Sequence, residues 1–320
     1  MTTSKTPGKI NVKTSYLIDK YSIVLVIIVL STILSIMSEN FLTVSNLFNV
    51  SRQVSINGIL AIGMTAVALT GGIDLSVGSI VAFSGIVTAG LLRDSSLSIP
   101  LVIIISIIIG CLMGTFSGYF ISYWNAPPFV VTLAMLTIGR GMTYVFCDGR
   151  PISTLPKEYL VIGKGSFLGV PIPTIILLVA FIAATVILKY LRIGKYIYAV
   201  GGNYDAAMVS GINVKRVKLF VYMFSGIMCG IAAIILTARV SAGLPTAGEG
   251  YELDAIAATV IGGTSLSGGR GKLWGTLLGA ILLGIVNNGL DLLNVSSFYQ
   301  QIVKGLIILG AILIDSKRNK

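Results

Sequence analysis

An all-α fold, a polytopic membrane bundle of about ten transmembrane segments with broken helices, follows from three observations. The chain of 320 residues is 55% hydrophobic and only 11% charged, with a mean hydropathy of +0.93. That much apolar surface requires lipid as its solvent. Long apolar runs recur along the whole chain, and one glycine-rich phrase occurs twice among them.

A run of about 20 apolar residues spans a bilayer as a helix. Runs of this kind lie at 22–38, 53–70, 77–92, 99–123, 128–147, 171–189, 218–238, 253–266, 273–290 and 298–314. The eighth is the shortest and reads as a broken or re-entrant segment. The first has no small-residue cleavage site and is followed by further spans, so it reads as a membrane helix and not as a removable leader. Residues 1–320 form one membrane domain on this reading, with a tail at 1–21 and a hydrophilic loop at 191–217.

An even number of spans puts both termini on one side. If that side is the cytoplasm, it collects the basic tail, the loop with Lys189, Arg192, Lys195, Lys215, Arg216 and Lys218, and the turn with Arg270 and Lys272. The far side keeps only Arg52, Arg93, Arg150, Lys157, Lys164 and Arg239. This is the expected bias for cytoplasmic loops. The net charge of +11 therefore reads as topology. Basic residues dispersed among membrane loops argue against a nucleic-acid partner.

Several chemistries are excluded. There is no His, hence no His-dependent triad and no HExxH zinc site. No G-x-S-x-G occurs, and Cys111, Cys147 and Cys229 form no CxxC, so they read as small packing residues. The nearest approach to a phosphate-binding loop, Gly271-Lys272, has Leu266 and Leu273 where Gly and Ser/Thr are needed. No cofactor is expected, and ATP is not expected to bind this chain.

Transport remains. "GGIDLSVGS" begins at Gly71 and "GGTSLSGGR" at Gly262; both read G-G-x-x-L-S-x-G. A Gly pair breaks a helix. Asp74 or Ser76 in the first copy, and Ser265 or Ser267 in the second, could then cap a new one. Interrupted helices at matching places in two halves mark a substrate path. Gly71, Gly72, Asp74, Ser76, Gly262, Gly263, Ser265 and Ser267 are therefore the candidate path or gate, against the plainer reading of tight turns. Both copies follow an inward-running segment, which makes the repeat parallel. Arg140 and Lys304 lie within spans, where a charge is costly; an ion pair is expected for Arg140, and snorkelling or pairing for Lys304.

The inner loop carries one more feature. Gly201-Gly202 reads as a flexible entry, Asn203 as an N-cap with Asp205 in the first turn, Ala206 to Val209 as a short helix, and Gly211 as its stop. Such a helix suits a groove on a partner, or equally a lipid surface.

"GGIDLSVGS", "GKYIYAVGGNYDAAMVSGINV", "PTAGEGYELDAIAATVIGGTSLSGGRG" and "NNGLDLLNVSSFYQQIVK", with "NFLTVSNLFNV" near the start, cover nearly the whole chain. Together they resemble the permease subunits of bacterial ABC importers for monosaccharides, with ribose as the nearest sugar. The resemblance implies a multi-pass permease in the bacterial cytoplasmic membrane, with both termini cytoplasmic. Its implied partners are a second permease copy, two separate ATP-hydrolysing subunits and an external sugar-binding protein. It places ATPase coupling at Asn203, Asp205, Ala206, Ala207, Ser210 and Gly211. The acidic stretch Glu249, Glu252 and Asp254 reads as a dock for the binding protein, or as solvated loop charge. An ion-coupled secondary transporter is the alternative, and only Asp74 would serve its coupling.

Overall fold

The computed structural model describes residues 12–318. Residues 1–11 of the expected tail lie outside that range, and from Val12 the chain is already helical. Helix α1 (Val12–Met37) turns into α2 (Val44–Leu69), which begins where Thr43 Oγ1 accepts the Asn46 N–H at 3.3 Å. From Val54 onward α2 is buried on every side, so it is the central post of the bundle. An irregular stretch, 70–76, leads into α3 (Val77–Asp94).

Helices α4 (Ile99–Tyr123) and α5 (Pro128–Cys147) both start with a proline in the first turn, where its missing N–H costs nothing. Both occupy the stretches expected from hydropathy alone. A short α6 (Lys157–Lys164) and a two-stranded hairpin, β1 (Ser166–Phe167) with β2 (Val170–Pro171), lead into α7 (Ile172–Tyr190). Then follow α8 (Arg192–Gly202), α9 (Tyr204–Val209), α10 (Val214–Val240), α11 (Tyr251–Ile261), α12 (Leu273–Leu292) and α13 (Ser297–Arg318).

Small residues set the tightest packing. Helix α4 lies against α10 at Gly110, Gly114, Gly226 and Gly230, where an added methyl on any of the four would strike the opposing backbone. Close backbone approach of this kind is the usual basis of helix association in lipid. Large apolar side chains such as Ile104, Val145 and Ile182 on α4, α5 and α7 stay exposed, as a lipid-facing surface requires.

Contacts sort the loops into two ends. At one end the start of α10 lies near α8 and α9, Gly269 N–H donates to Leu69 O, and Tyr198 Oη donates to Gly271 O. At the other, Arg52 donates to Lys164 O, Arg239 donates to Asn49 Oδ1, and Asn46 exchanges amide bonds with Asn288. Arg52, Lys164 and Arg239 thus lie at the end opposite Arg270 and Lys272.

Among the described residues seven helices, not ten, are long and apolar enough to cross a membrane: α2, α3, α4, α5, α7, α10 and α12. The eighth expected span is α11, only 11 residues long. In α1 the described apolar stretch is Ile23–Met37.

Candidate functional site

Helix α2 ends where Gly71, at φ +75°, lets the Gly71 and Gly72 amides turn back onto Ala68 O and Val67 O. The chain then returns into the bundle and does not stay at its end. Asp74 is completely buried. Its Oδ1 accepts the Ser76 N–H at 3.0 Å and the Ser76 hydroxyl at 2.5 Å, and its Oδ2 accepts the Ser225 hydroxyl at 2.8 Å. Ser225 lies nearly half-way along α10, so α3 starts deep inside the protein. The expected cap takes a different form. Ser76 occupies the N-cap position of α3 without a side-chain cap bond, and Asp74 closes a local turn onto Ser76. Ser225 was missed from sequence; a lone serine beside Gly226 in an apolar run was its signal.

The second interior start is α11. Residues 241–250 leave α10 at the Arg239 end, where Gly243 bridges to Ile152, and descend to Gly248 beside Gly78 in the first turn of α3. Helices α3 and α11 thus begin close together and run to opposite ends. Arg140 holds the descending strand by donating to Pro245 O at 2.6 Å and Ala247 O at 2.9 Å, in place of the expected ion pair. Lys304 does pair, with Asp254 Oδ2 at 3.2 Å, and Asn57 Nδ2 donates to the same oxygen at 3.4 Å. A cavity of about 250 Å³ opens beside this turn, lined by Thr237, Thr246, Glu249 and Tyr251 among others.

This geometry corrects the acidic dock. Asp254 is buried in an interhelical ion pair, and Glu252 is half-buried against Gly78; only Glu249 is exposed. Asp254 is thereby closed to an external protein, and Glu252 is partly so.

The second glycine phrase is also not what its spelling suggests. Gly262 closes α11 with helical dihedrals and Gly263 takes φ +82°, so the positive φ falls one place later than in the first copy. Ser265 and Ser267 cap no helix. The Ser265 N–H donates to Arg270 O, the Ser267 N–H to Ser265 Oγ, and α12 starts at Leu273 with Lys272 as its N-cap residue. The copies are therefore not equivalent in backbone, although α2 and α11, which precede them, both end at the same end of the bundle. They do meet. Gly268 packs beside the Gly71 amide and Gly201, and an added methyl at Gly201 would overlap Leu69 O. Gly201 is accordingly a packed residue at the end of α8, not a flexible entry.

Beyond that junction the inner loop folds as its sequence implies. Asn203 Oδ1 accepts the Ala206 N–H at 2.9 Å, α9 follows with Asp205 in its first turn, Ser210 ends it, and Gly211 turns at φ +80°. One residue needs correction. Ala207 is 4% exposed and packs inward, whereas Val209 is 85% exposed, with Met208 and Tyr204 also outward. Those three form the outward face of α9, and Ala207 does not belong to it. Behind the loop, burial raises the Tyr198 hydroxyl above the usual phenol range.

Helices that start inside a bundle, beside a cavity at a loop-lined turn, are the architecture of a solute permease. Residues 46–312 match the family described as the permease component of the branched-chain amino acid transport system, and the chain belongs to it. It is a multi-pass transport component and not an enzyme. In particular, it is 50% identical over 293 residues to the ribose import permease protein RbsC of Bacillus subtilis strain 168, covering 91% of each chain. It is 44% identical to the protein of that name from Escherichia coli K12, covering 99% of this chain and 100% of the relative. The L-arabinose ABC transporter permease protein AraH of Azospirillum brasilense is 37% identical, covering 94% of this chain and 89% of its own. No solved structure matches the chain.

Proposed function

We propose that this chain is the membrane-spanning subunit of an ATP-driven importer that carries ribose across the bacterial cytoplasmic membrane. The observation that carries the reading is its identity to the ribose import permeases over nearly the whole length of both chains. ATP is hydrolysed by separate subunits, two permease copies form the pathway, and an external binding protein delivers the sugar. The basic end, with α8, α9 and the 262–272 turn, faces the cytoplasm, as the charge bias supports. Both termini lie there, since α1, α13 and the descending strand with α11 complete ten crossings around the seven long helices. Asp74, Ser76 and Ser225, with the 241–250 strand, form the movable part of the path. Tyr204, Met208 and Val209 meet the ATPase.

Uptake of labelled ribose into vesicles holding the reconstituted complex tests this. Accumulation should need ATP and binding protein and should exceed that of arabinose or allose. Uptake driven by an ion gradient without ATP would establish the secondary transporter instead. For the coupling surface, Val209→Glu should leave folding within about 0.5 kcal/mol of the parent, as exposed substitutions do. It should nevertheless sharply reduce co-purification of the ATPase. Full retention of the ATPase would place the contact elsewhere.

A further inference from the structure

A groove of about 680 Å³ lies between the end of α7, α8 and the start of α12. Leu188, Tyr198 and Trp274 contribute to its lining, and Lys189, Lys195 and Lys272 belong to it. Trp274 stands edge-on to Phe181 with ring centroids 5.1 Å apart, yet is 65% exposed. Among the described residues no acidic side chain pairs with any of the three lysines; the ion pairs there are Arg93–Asp94 and Lys304–Asp254. The outer face of α7, with Val179, Ile182 and Val186 exposed, continues toward the groove.

We infer that this groove binds one anionic phospholipid. Three lysines without an acidic partner line one groove where a membrane-facing apolar surface ends, Lys189 lying over the Tyr190 ring at 5.2 Å, and an exposed indole marks that boundary. A phosphate headgroup satisfies the lysines while the upper acyl chain lies along Leu188 and Trp274. A soluble anion would use the charge and leave the apolar wall uncovered. An acidic protein would have no use for a wall that continues into the lipid-facing side of α7. The site is independent of which sugar is carried. It binds in the chain alone, so its failure and the failure of the ribose reading are separately observed.

Trp274 is one of two tryptophans, and Trp124→Phe leaves it as the sole indole. The full chain with that substitution is placed in zwitterionic nanodiscs doped with acyl-brominated phosphatidylglycerol or acyl-brominated phosphatidylcholine. The anionic lipid should half-quench Trp274 at about a tenfold lower mole fraction. Adding Lys189→Gln, Lys195→Gln and Lys272→Gln should abolish that preference at unchanged helix content. Should the triple variant not fold, the parent in about 1 M salt should lose most of the preference through screening. Inorganic phosphate at millimolar concentration should not compete. Equal quenching by both lipids, a preference indifferent to the lysines or to salt, or displacement by free phosphate overturns the assignment. So does a triple variant that keeps its lipid preference but loses the ATPase, which would make the groove a protein contact.

Discussion

Asp74 and Asp254 each sit at the start of a helix that begins inside the protein, and each is buried. Asp254 has a cation, Lys304, at 3.2 Å, with Asn57 beside it, so one carboxylate joins α2, α11 and α13. Among the described residues no cation pairs with Asp74; two serine hydroxyls and one amide hold it. An ion pair in an apolar interior is costly to break because each member strands the other. Hydroxyl donors rotate and exchange partners at little cost. The start of α11 is therefore pinned to a peripheral helix, while the break before α3 is the place where pairing can be rearranged.

The sharpest way to break this contrast is Lys304→Met, which leaves Asp254 buried without its cation and with only the Asn57 amide beside it. Stability should fall by about 3–5 kcal/mol, read from thermal unfolding in detergent, and Asp254→Asn added to it should recover most of the loss. A loss below about 1 kcal/mol would remove the distinction between the two carboxylates. Asp74→Leu comes next. It strands the Ser76 amide and the Ser225 hydroxyl, at about 1–3 kcal/mol. The smallest stability change is expected from Asp74→Asn, which keeps shape and an acceptor. It should cost about 0.6 kcal/mol, the scale of a hydrogen bond between membrane helices, while ribose uptake falls well below that of the parent at equal protein level. Normal uptake would return Asp74 to a purely structural role.

The same two regions show what was legible in the chain itself. Helix class, the exact stretches 99–123 and 128–147, and the Asn203 cap with its Gly211 stop are local matters of hydropathy and capping. The interior starts were legible only as suspicion. A broken segment and a full span have nearly the same composition, and what divides them is where the backbone turns. The acidic stretch failed for a related reason: Glu252 and Asp254 look like loop charge until Lys304, 50 residues on, is seen opposite Asp254. The matching glycine phrases misled more deeply, since equal spelling hid a shifted turn. The structural partner of the start of α3 is instead the Gly248–Tyr251 turn, whose letters share little with it.

Where Leu69, Gly71, Gly201 and Gly268–Gly269 meet, the contact is main chain on main chain, with Gly269 N–H bonded to Leu69 O at 2.9 Å. Such a joint has no rotamers and hence no backlash. A side-chain contact absorbs a small displacement by changing χ angles; this one must transmit it. A push on α9, carried by the α8 end at Gly201, reaches the foot of α2 and the α11–α12 turn in a single step. The α8–α9 corner, the foot of α2 and the α11–α12 turn thus work as meshed teeth, and their clearance is the width of a missing methyl group.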